Sequence, residues 1–202
     1  MKNILDKNIY SASDESYLYN IDCMKVLPKI ADKYFDLAVI DVPDGSKRYF
    51  RELFRVSKNQ IIFGANNFIS KLPKKDSSCW IVWDKDNAGS EFADCELIWT
   101  SFKSVIRKFK FRWNNTLWED NKDRETCIHP AQKPLQLYLW LLNKYAKSGD
   151  KILDTHAGQC ISSRVAAFYT GCEFTGFESD EHCCEVSSER FVDEIINQTM
   201  LN

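Results

Sequence analysis

The segment 36–41, DLAVID, sets four consecutive apolar residues between two carboxylates. A strand with one wet face alternates, whereas an unbroken apolar run must be covered on both sides, as in the centre of a parallel sheet. Other short runs recur at similar spacing: YLYNID (17–22) before it, then QIIFG (60–64), CWIVW (79–83) and ELIWTS (96–101). Further on the period changes. Across 134–147 the apolar residues fall at 135, 137, 138, 139, 141, 142 and 145, behind Pro134 and ahead of Gly149, which predicts a helix opening with proline at its first position. KILD (151–154) reads as a short buried strand, and SSRVAAFYTG as a helix that stops at Gly171. EFTGFE (173–178) reads as a strand and 181–197 as a closing acidic helix. Strands separated by helical crossovers predict an α/β sheet with helices on both faces, in one domain over 1–202.

No apolar run approaches the ~18 residues of a membrane span, and the opening MKNILDKNIYSASDE is too polar for a signal peptide. A cytoplasmic location, no membrane partner and reduced cysteines are therefore expected. The eight cysteines (Cys23, Cys79, Cys95, Cys127, Cys160, Cys172, Cys183 and Cys184) contain no C-x-x-C pair. A zinc site around His182, Cys183 and Cys184 competes with plain buried thiols. Adjacent cysteines seldom chelate one tetrahedral ion well, so no metal site is expected.

The formal charge is only −2, but it is unevenly spread. Between Glu173 and Glu194 eight acids face one base, Arg190, a local −7 that leaves +5 elsewhere. The densest basic stretch, KSVIRKFKFRW at 103–113, holds Lys103, Arg107, Lys108, Lys110 and Arg112 and no acid. Phe109, Phe111 and Trp113 interleave with those bases, a strand alternation with rings on one face and cations on the other. Two readings stand: a half-buried strand with a solvated face, or a strip on which Arg107, Lys108, Lys110 and Arg112 meet DNA phosphate.

Ligands of such sheets bind beyond the carboxyl ends of the strands. After KILD come Asp154-Thr155-His156-Ala157-Gly158-Gln159-Cys160 and then a helix. Strand, carboxylate, glycine turn and helix start together suit a nucleotide, because the helix-start N–H groups favour an anion and glycine admits close approach. About twenty residues later Glu178 ends the next strand, where a carboxylate can accept hydrogen bonds from ribose hydroxyls. The second strand-end site is Asp41-Val42-Pro43-Asp44-Gly45. Taken singly, the first is equally a structural βαβ turn and the second a Pro-Asp-Gly turn.

In combination and in order, these pieces resemble the DNA amino-methyltransferases, which methylate adenine-N6 or cytosine-N4 with S-adenosylmethionine. The likeness is to the subgroup whose catalytic motif precedes its cofactor motif, and it runs from about Tyr17 to Phe191. YNIDCMKVLPKIADKYFDLAVID resembles the approach to the catalytic loop. YFRELFRVSKNQIIFGANNFI, CWIVWDK and FADCELIWTS resemble the middle strands. His129-Pro130-Ala131-Gln132-Lys133-Pro134, followed by LQLYLWLLNKYAKSGDKILD, is the strongest single match. The resemblance implies a Rossmann-like methyltransferase fold with a mostly parallel seven-stranded sheet, DNA as partner and S-adenosylmethionine as cofactor. It also implies roles. Asp22, Cys23, Gln132, Lys133, Asp154, His156, Gly158, Glu178 and Asp180 would line the cofactor, and Asp41, Pro43 and Asp44 would occupy the catalytic loop. Recognition of sequence would fall to a minimal region near 103–128.

The pattern departs from the family at three places. The catalytic loop normally reads acid or amide, Pro, Pro, aromatic; here Val42 replaces the first proline and Asp44 the ring that stacks on a flipped base. Asn66 and Phe68 in GANNF are the nearest residues to supply a pocket wall. In the cofactor loop Cys160, behind Gln159, replaces a second glycine, and Ile21 replaces a glycine ahead of Asp22. The chain has only 7 glycines against 27 aromatic residues, so the missing glycines and the missing ring are a local deficit over the active site. These departures predict a derivative with methyl transfer lost or strongly impaired, acting by binding DNA or a protein partner. The alternative is an active site-specific DNA adenine-N6 methyltransferase.

Overall fold

Residues 7–13, 15–42, 45–87, 91–112, 132–158 and 161–199 are described by the computed structural model. Nine strands form one sheet: β1 (Ile9–Ser13), β2 (Ser16–Asn20), β3 (Phe35–Ile40), β4 (Ser57–Phe63), β5 (Trp80–Asp84), β6 (Cys95–Thr100), β7 (Arg107–Lys110), β8 (Lys151–Asp154) and β9 (Glu173–Glu178). Their spatial order is β1-β2-β9-β8-β3-β4-β6-β5-β7. The block β2-β9-β8-β3-β4 is parallel throughout. β6 runs antiparallel between β4 and β5, and β7 lies parallel to β5.

The sheet therefore has nine strands rather than seven. At one margin β1 folds back on β2 through Glu15, which takes a left-handed φ of 63°. Its sequence, IYSAS, is too polar and short to announce a strand, because an edge strand needs no apolar face. At the other margin β7 extends the sheet past β5.

DLAVID sits where its composition requires. In β3, Leu37 and Val39 enter one core while Ala38 and Ile40 enter the other, as the two-residue period dictates. β4 repeats this with Ile61 and Phe63 on one side and Ile62 on the other. Among the described residues, four α-helices cover the faces: α1 (Lys47–Val56), α2 (Leu135–Tyr145), α3 (Ile161–Tyr169) and α4 (Glu181–Thr199). α1 packs Tyr49, Phe50, Leu53 and Val56 against Ala38, Ile40 and Ile62, whereas α2, α3 and α4 share the core that holds Leu37 and Val39. Pro134 is the N-cap of α2, one position before the first helical residue expected for it.

α1 had no counterpart in the periodicity reading. KRYFRELFRV is half charged, yet its four buried residues fall at the spacing of one helical stripe. Ser46 caps it, its Oγ accepting from Tyr49 N at 3.1 Å. A buried arginine locks the far side of the sheet. Arg164 of α3 donates to Ser16 Oγ at 2.9 Å and Ser11 Oγ at 2.6 Å and lies 4.0 Å from the Phe191 ring centroid. Burial brings its pKa down to about 10, so it stays charged at neutral pH. Among the cysteines, Cys23, Cys79, Cys172 and Cys184 are buried as expected, but Cys95 is exposed because it opens β6 at a loop. No helix among the described residues is long and apolar enough to cross a membrane.

Candidate functional site

Because β2, β9, β8 and β3 are parallel neighbours, their carboxyl ends share one edge. Asn20 pairs with Glu178 and Asp154 with Gly176, so the sequence-predicted carboxylates Asp22, Glu178, Asp154 and Asp41 all stand there. Asp154 is fully buried. Its Oδ2 accepts from Ser163 Oγ at 2.7 Å and its Oδ1 from His156 N at 3.0 Å. Burial, with Asp41 and Glu178 as negative neighbours, raises its pKa to about 7.

His156 is held from behind by two hydroxyls. Tyr49 Oη lies 2.6 Å from Thr155 Oγ1, which lies 3.0 Å from His156 Nδ1. Burial pushes the Tyr49 phenol well above its usual pKa, so it keeps its proton. Thr155 is the hydrogen-bond partner of that hydroxyl, and only donation from Tyr49 to Thr155 satisfies the buried proton. Thr155 Oγ1 then pairs with His156 Nδ1, the tautomer of the ring deciding which of the two donates. Burial lowers the His156 pKa despite Glu178, Asp41 and Asp22 nearby, which keeps the ring neutral. Sequence reading named His156 but not Tyr49 or Thr155 as its supports.

The glycine turn closes onto Glu178. Gly158 N donates to Glu178 Oε2 at 3.1 Å, and Ser179 N and Asp180 N donate to Oε1 at 2.7 and 2.9 Å. Glu178 is 8% exposed. A Cβ on Gly158 would lie 2.5 Å from Glu178 Cγ and 2.7 Å from Cys183 Cβ, so no other residue fits this turn. Asp180 instead caps α4, accepting from Cys183 N at 3.0 Å, which draws its pKa below the usual value. Asp22 is exposed and caps a short turn, accepting from Met24 N at 2.8 Å. Beside it Cys23 is buried, and burial with the Asp22 charge pushes its thiol up to about 12. Ile21 N bonds the Glu178 carbonyl at 2.7 Å, tying this turn to β9.

Asp41 is not free. Lys133 Nζ lies 2.7 Å from Asp41 Oδ2 and 3.4 Å from Glu96 Oε1, and Glu96 Oε2 faces Lys85 Nζ at 3.6 Å. The Lys133 carbonyl accepts from Ser162 Oγ at 2.9 Å in the first turn of α3, and Gln132 is buried beside it. Lys133 thus bridges the carboxyl end of β3 and the start of α3. The anchors Glu96 and Lys85 carry no local motif and were absent from the sequence reading. Phe68 is committed to the core, stacked on Phe50 at 5.2 Å, and Asn66 is exposed. Pro43, Asp44, Gln159, Cys160, the 129–131 part of HPAQKP and most of the 103–128 region lie outside the described residues.

On β7 the cations are exposed, but two have partners: Lys108 Nζ meets Asp84 Oδ2 and Lys110 Nζ meets Asp86 Oδ1, both at 2.9 Å. Arg107 and Arg112 are exposed, while Phe109 packs on Trp140 at 5.3 Å. Both expected features of this strip are present, a packed ring face and a wet cationic face.

S-adenosylmethionine carries a sulfonium and an ammonium beside a ribose. Four neighbouring carboxylates complement those cations. The sugar is served less well: a carboxylate offers about four lone-pair positions, and loop amides already use three of those of Glu178. The edge matches the charge of the cofactor and leaves little for its diol.

Residues 47–189 match the model of a family described as DNA methylase, for N6 and N4 methylation. Solved structures share the fold. The M1.HpyAVI complex with SAM superposes with a TM-score of 0.66 at 17% identity, over 86% of this chain and 97% of that one. TTHA0409 from Thermus thermophilus, complexed with S-adenosyl-L-methionine, gives 0.61 at 18% over 88% and 93%. The cytosine-N4-specific PvuII DNA methyltransferase gives 0.67 at 10% over 92% and 93%. No curated protein sequence matches the chain.

Proposed function

The chain belongs to the DNA methylase family, and from that membership we propose a DNA-binding methylase fold whose methyl transfer is lost or strongly impaired. The observation that carries this reading is the closed turn at Gly158: its amide and two more occupy Glu178, the carboxylate that would hold the cofactor ribose. Two further features support it. Lys133 occupies one oxygen of Asp41, the group that would accept from the target amine. In the sequence motif, Asp44 replaces the ring that in the family stacks on the flipped base, and such stacking contributes about 1–3 kcal/mol.

The second reading, an active methylase of adenine-N6 or cytosine-N4, is favoured by Asp41, Asp154, Lys133 and Glu178 meeting on one edge. There Asp41 would accept hydrogen bonds from the exocyclic amine, Lys133 would fix the carboxylate, and Asp22, Asp154 and Glu178 would hold the cofactor. The bound cofactor would supply an electrophilic methyl group.

Calorimetry with S-adenosylmethionine separates the two. Weak or undetectable binding is expected; micromolar binding, or methylation of unmethylated duplex DNA, overturns the impaired reading. The double change Asp44→Tyr with Cys160→Gly adds a positive arm. Activity gained there locates the defect in those two positions, whereas continued inactivity assigns it to the wider closure around Glu178.

A further inference from the structure

We propose that the N-terminal half of α1 is a phosphate-contacting surface that seats duplex DNA against the catalytic edge. The proposal rests on the reading that DNA is the partner and assigns the contact to residues outside the basic strand. α1 begins six residues after Asp41, so its first turn lies at the carboxyl edge of β3. Its buried stripe is Tyr49, Phe50, Leu53 and Val56, which leaves Lys47, Arg48 and Arg51 exposed.

Three observations single this surface out. The first turn of α1 holds no acid and two cations, Lys47 and Arg48. Cations at a helix N-terminus oppose the macrodipole, so the sequence accepts a local cost that gives the fold nothing, the signature of a functional position. Secondly, these charges are little neutralised. Among the described carboxylates Arg51 meets only Glu52, at 3.8 Å and with its own side chain 73% exposed, while Glu52 is turned to Arg55 at 2.9 Å. Lys47 and Arg48 meet no described carboxylate within ion-pair distance, in contrast with Lys108 on Asp84 and Lys110 on Asp86.

Thirdly, more cations stand alongside. Phe50 stacks on Phe68 at 5.2 Å and Phe54 on Trp99 at 5.5 Å, and Trp99 Nε1 donates to the Lys75 carbonyl at 3.3 Å. These contacts hold the segment carrying exposed Lys74 and Lys75 beside α1. β7 stands four strands from β3, roughly 19 Å at the usual strand spacing. Cations at both ends of that span line the carboxyl ends of β3 to β7, with Asp41 at the near end, so a duplex lying along this margin would meet both.

The test is fluorescence anisotropy of a labelled duplex with the full chain, between about 50 and 200 mM salt. Proteins compared are the wild type, the triple variant Lys47→Gln, Arg48→Gln, Arg51→Gln, and the pair Lys108→Gln, Lys110→Gln. The triple variant should lose about tenfold or more in affinity at the low end. Its log–log salt slope should fall by roughly 2 to 3, about 0.9 per phosphate contact. Lys47→Arg with Arg48→Lys should restore both. Because the changed side chains are exposed, an unaltered far-ultraviolet spectrum and melting temperature check the fold. Unchanged affinity and slope in the triple variant, with wild-type binding intact, overturns the surface and leaves DNA binding standing. Absence of duplex binding by the wild type overturns both. Preference for the RNA of the same sequence also overturns the proposal.

Discussion

At the scale of single residues, Asp154 carries the heaviest electrostatic cost in the site. Its carboxyl is fully buried and titrates near 7 rather than near 3.8. The folded state therefore holds a proton that the unfolded chain has released between those values. Unfolding sheds that proton, so stability declines as pH rises from about 4 to about 7, by up to about 4 kcal/mol, and levels off above. Asp154→Asn keeps an oxygen to accept from His156 N, while its amide donates to Ser163 Oγ in place of the hydrogen bond that Ser163 now donates. The variant should match the wild type in stability near pH 4 and exceed it increasingly up to pH 7. Urea melts at half-unit pH steps read this directly, and parallel curves for the two proteins would contradict the buried-acid account. The complement is functional: a cationic ligand beside Asp154 would favour its ionised form, so the residue that burdens the empty fold is the one that would reward a sulfonium or ammonium.

At the scale of elements, the junction between the loop after β3 and α1 is tight. A Cβ on Gly45 would lie 2.6 Å from Phe50 Cε2 and Cζ, and Phe50 is fully buried. Gly45 has no positive φ, so the demand is steric. Gly45→Ala should cost about 1–3 kcal/mol through overpacking. Phe50→Leu creates a void of its own, but the double variant should be more stable than the two single costs predict, since the leucine makes room. Chemical denaturation of the four proteins gives the coupling, and strict additivity would exclude the contact. This junction was not legible in the sequence, and the reason is physical. In KRYFRELFRV the buried positions are a minority among charges, and their helical spacing shows only when the sheet face they cover is known. β1 was hidden for the opposite reason, as a polar edge strand without an inward face. DLAVID, KILD and EFTGFE were legible because burial on both faces leaves no alternative composition. In the site, Asp41, Asp154 and Glu178 could be read from strand ends alone. The Tyr49–Thr155 contact spans 106 residues, and the Lys133–Asp41 pair spans 92. No local pattern encodes such pairings.

At the scale of the whole molecule, the charge asymmetry seen in the sequence becomes a spatial one. Glu181, Glu185, Glu189 and Asp193 are all exposed and fall at four-residue spacing along α4, so each repels the next by about 0.2–0.5 kcal/mol. That helix packs on β2 and β9, whereas β7 lies six strands beyond β9, roughly 29 Å at ordinary spacing. The Debye length is about 10 Å at 0.1 M salt, so the acidic helix and the cationic margin barely sense each other under physiological conditions. Two outcomes follow for Glu185→Gln with Glu189→Gln. Stability should rise by about 0.5–1 kcal/mol, because three like-charge spacings are relieved. DNA association should quicken less than about threefold at low salt and not at all near 0.2 M, since only long-range steering is altered. Stopped-flow association at two salt concentrations, paired with a thermal melt, measures both. A large gain in affinity persisting at high salt would mean that α4 itself faces the duplex, which would move the DNA from the α1–β7 side of the sheet to the side of β9.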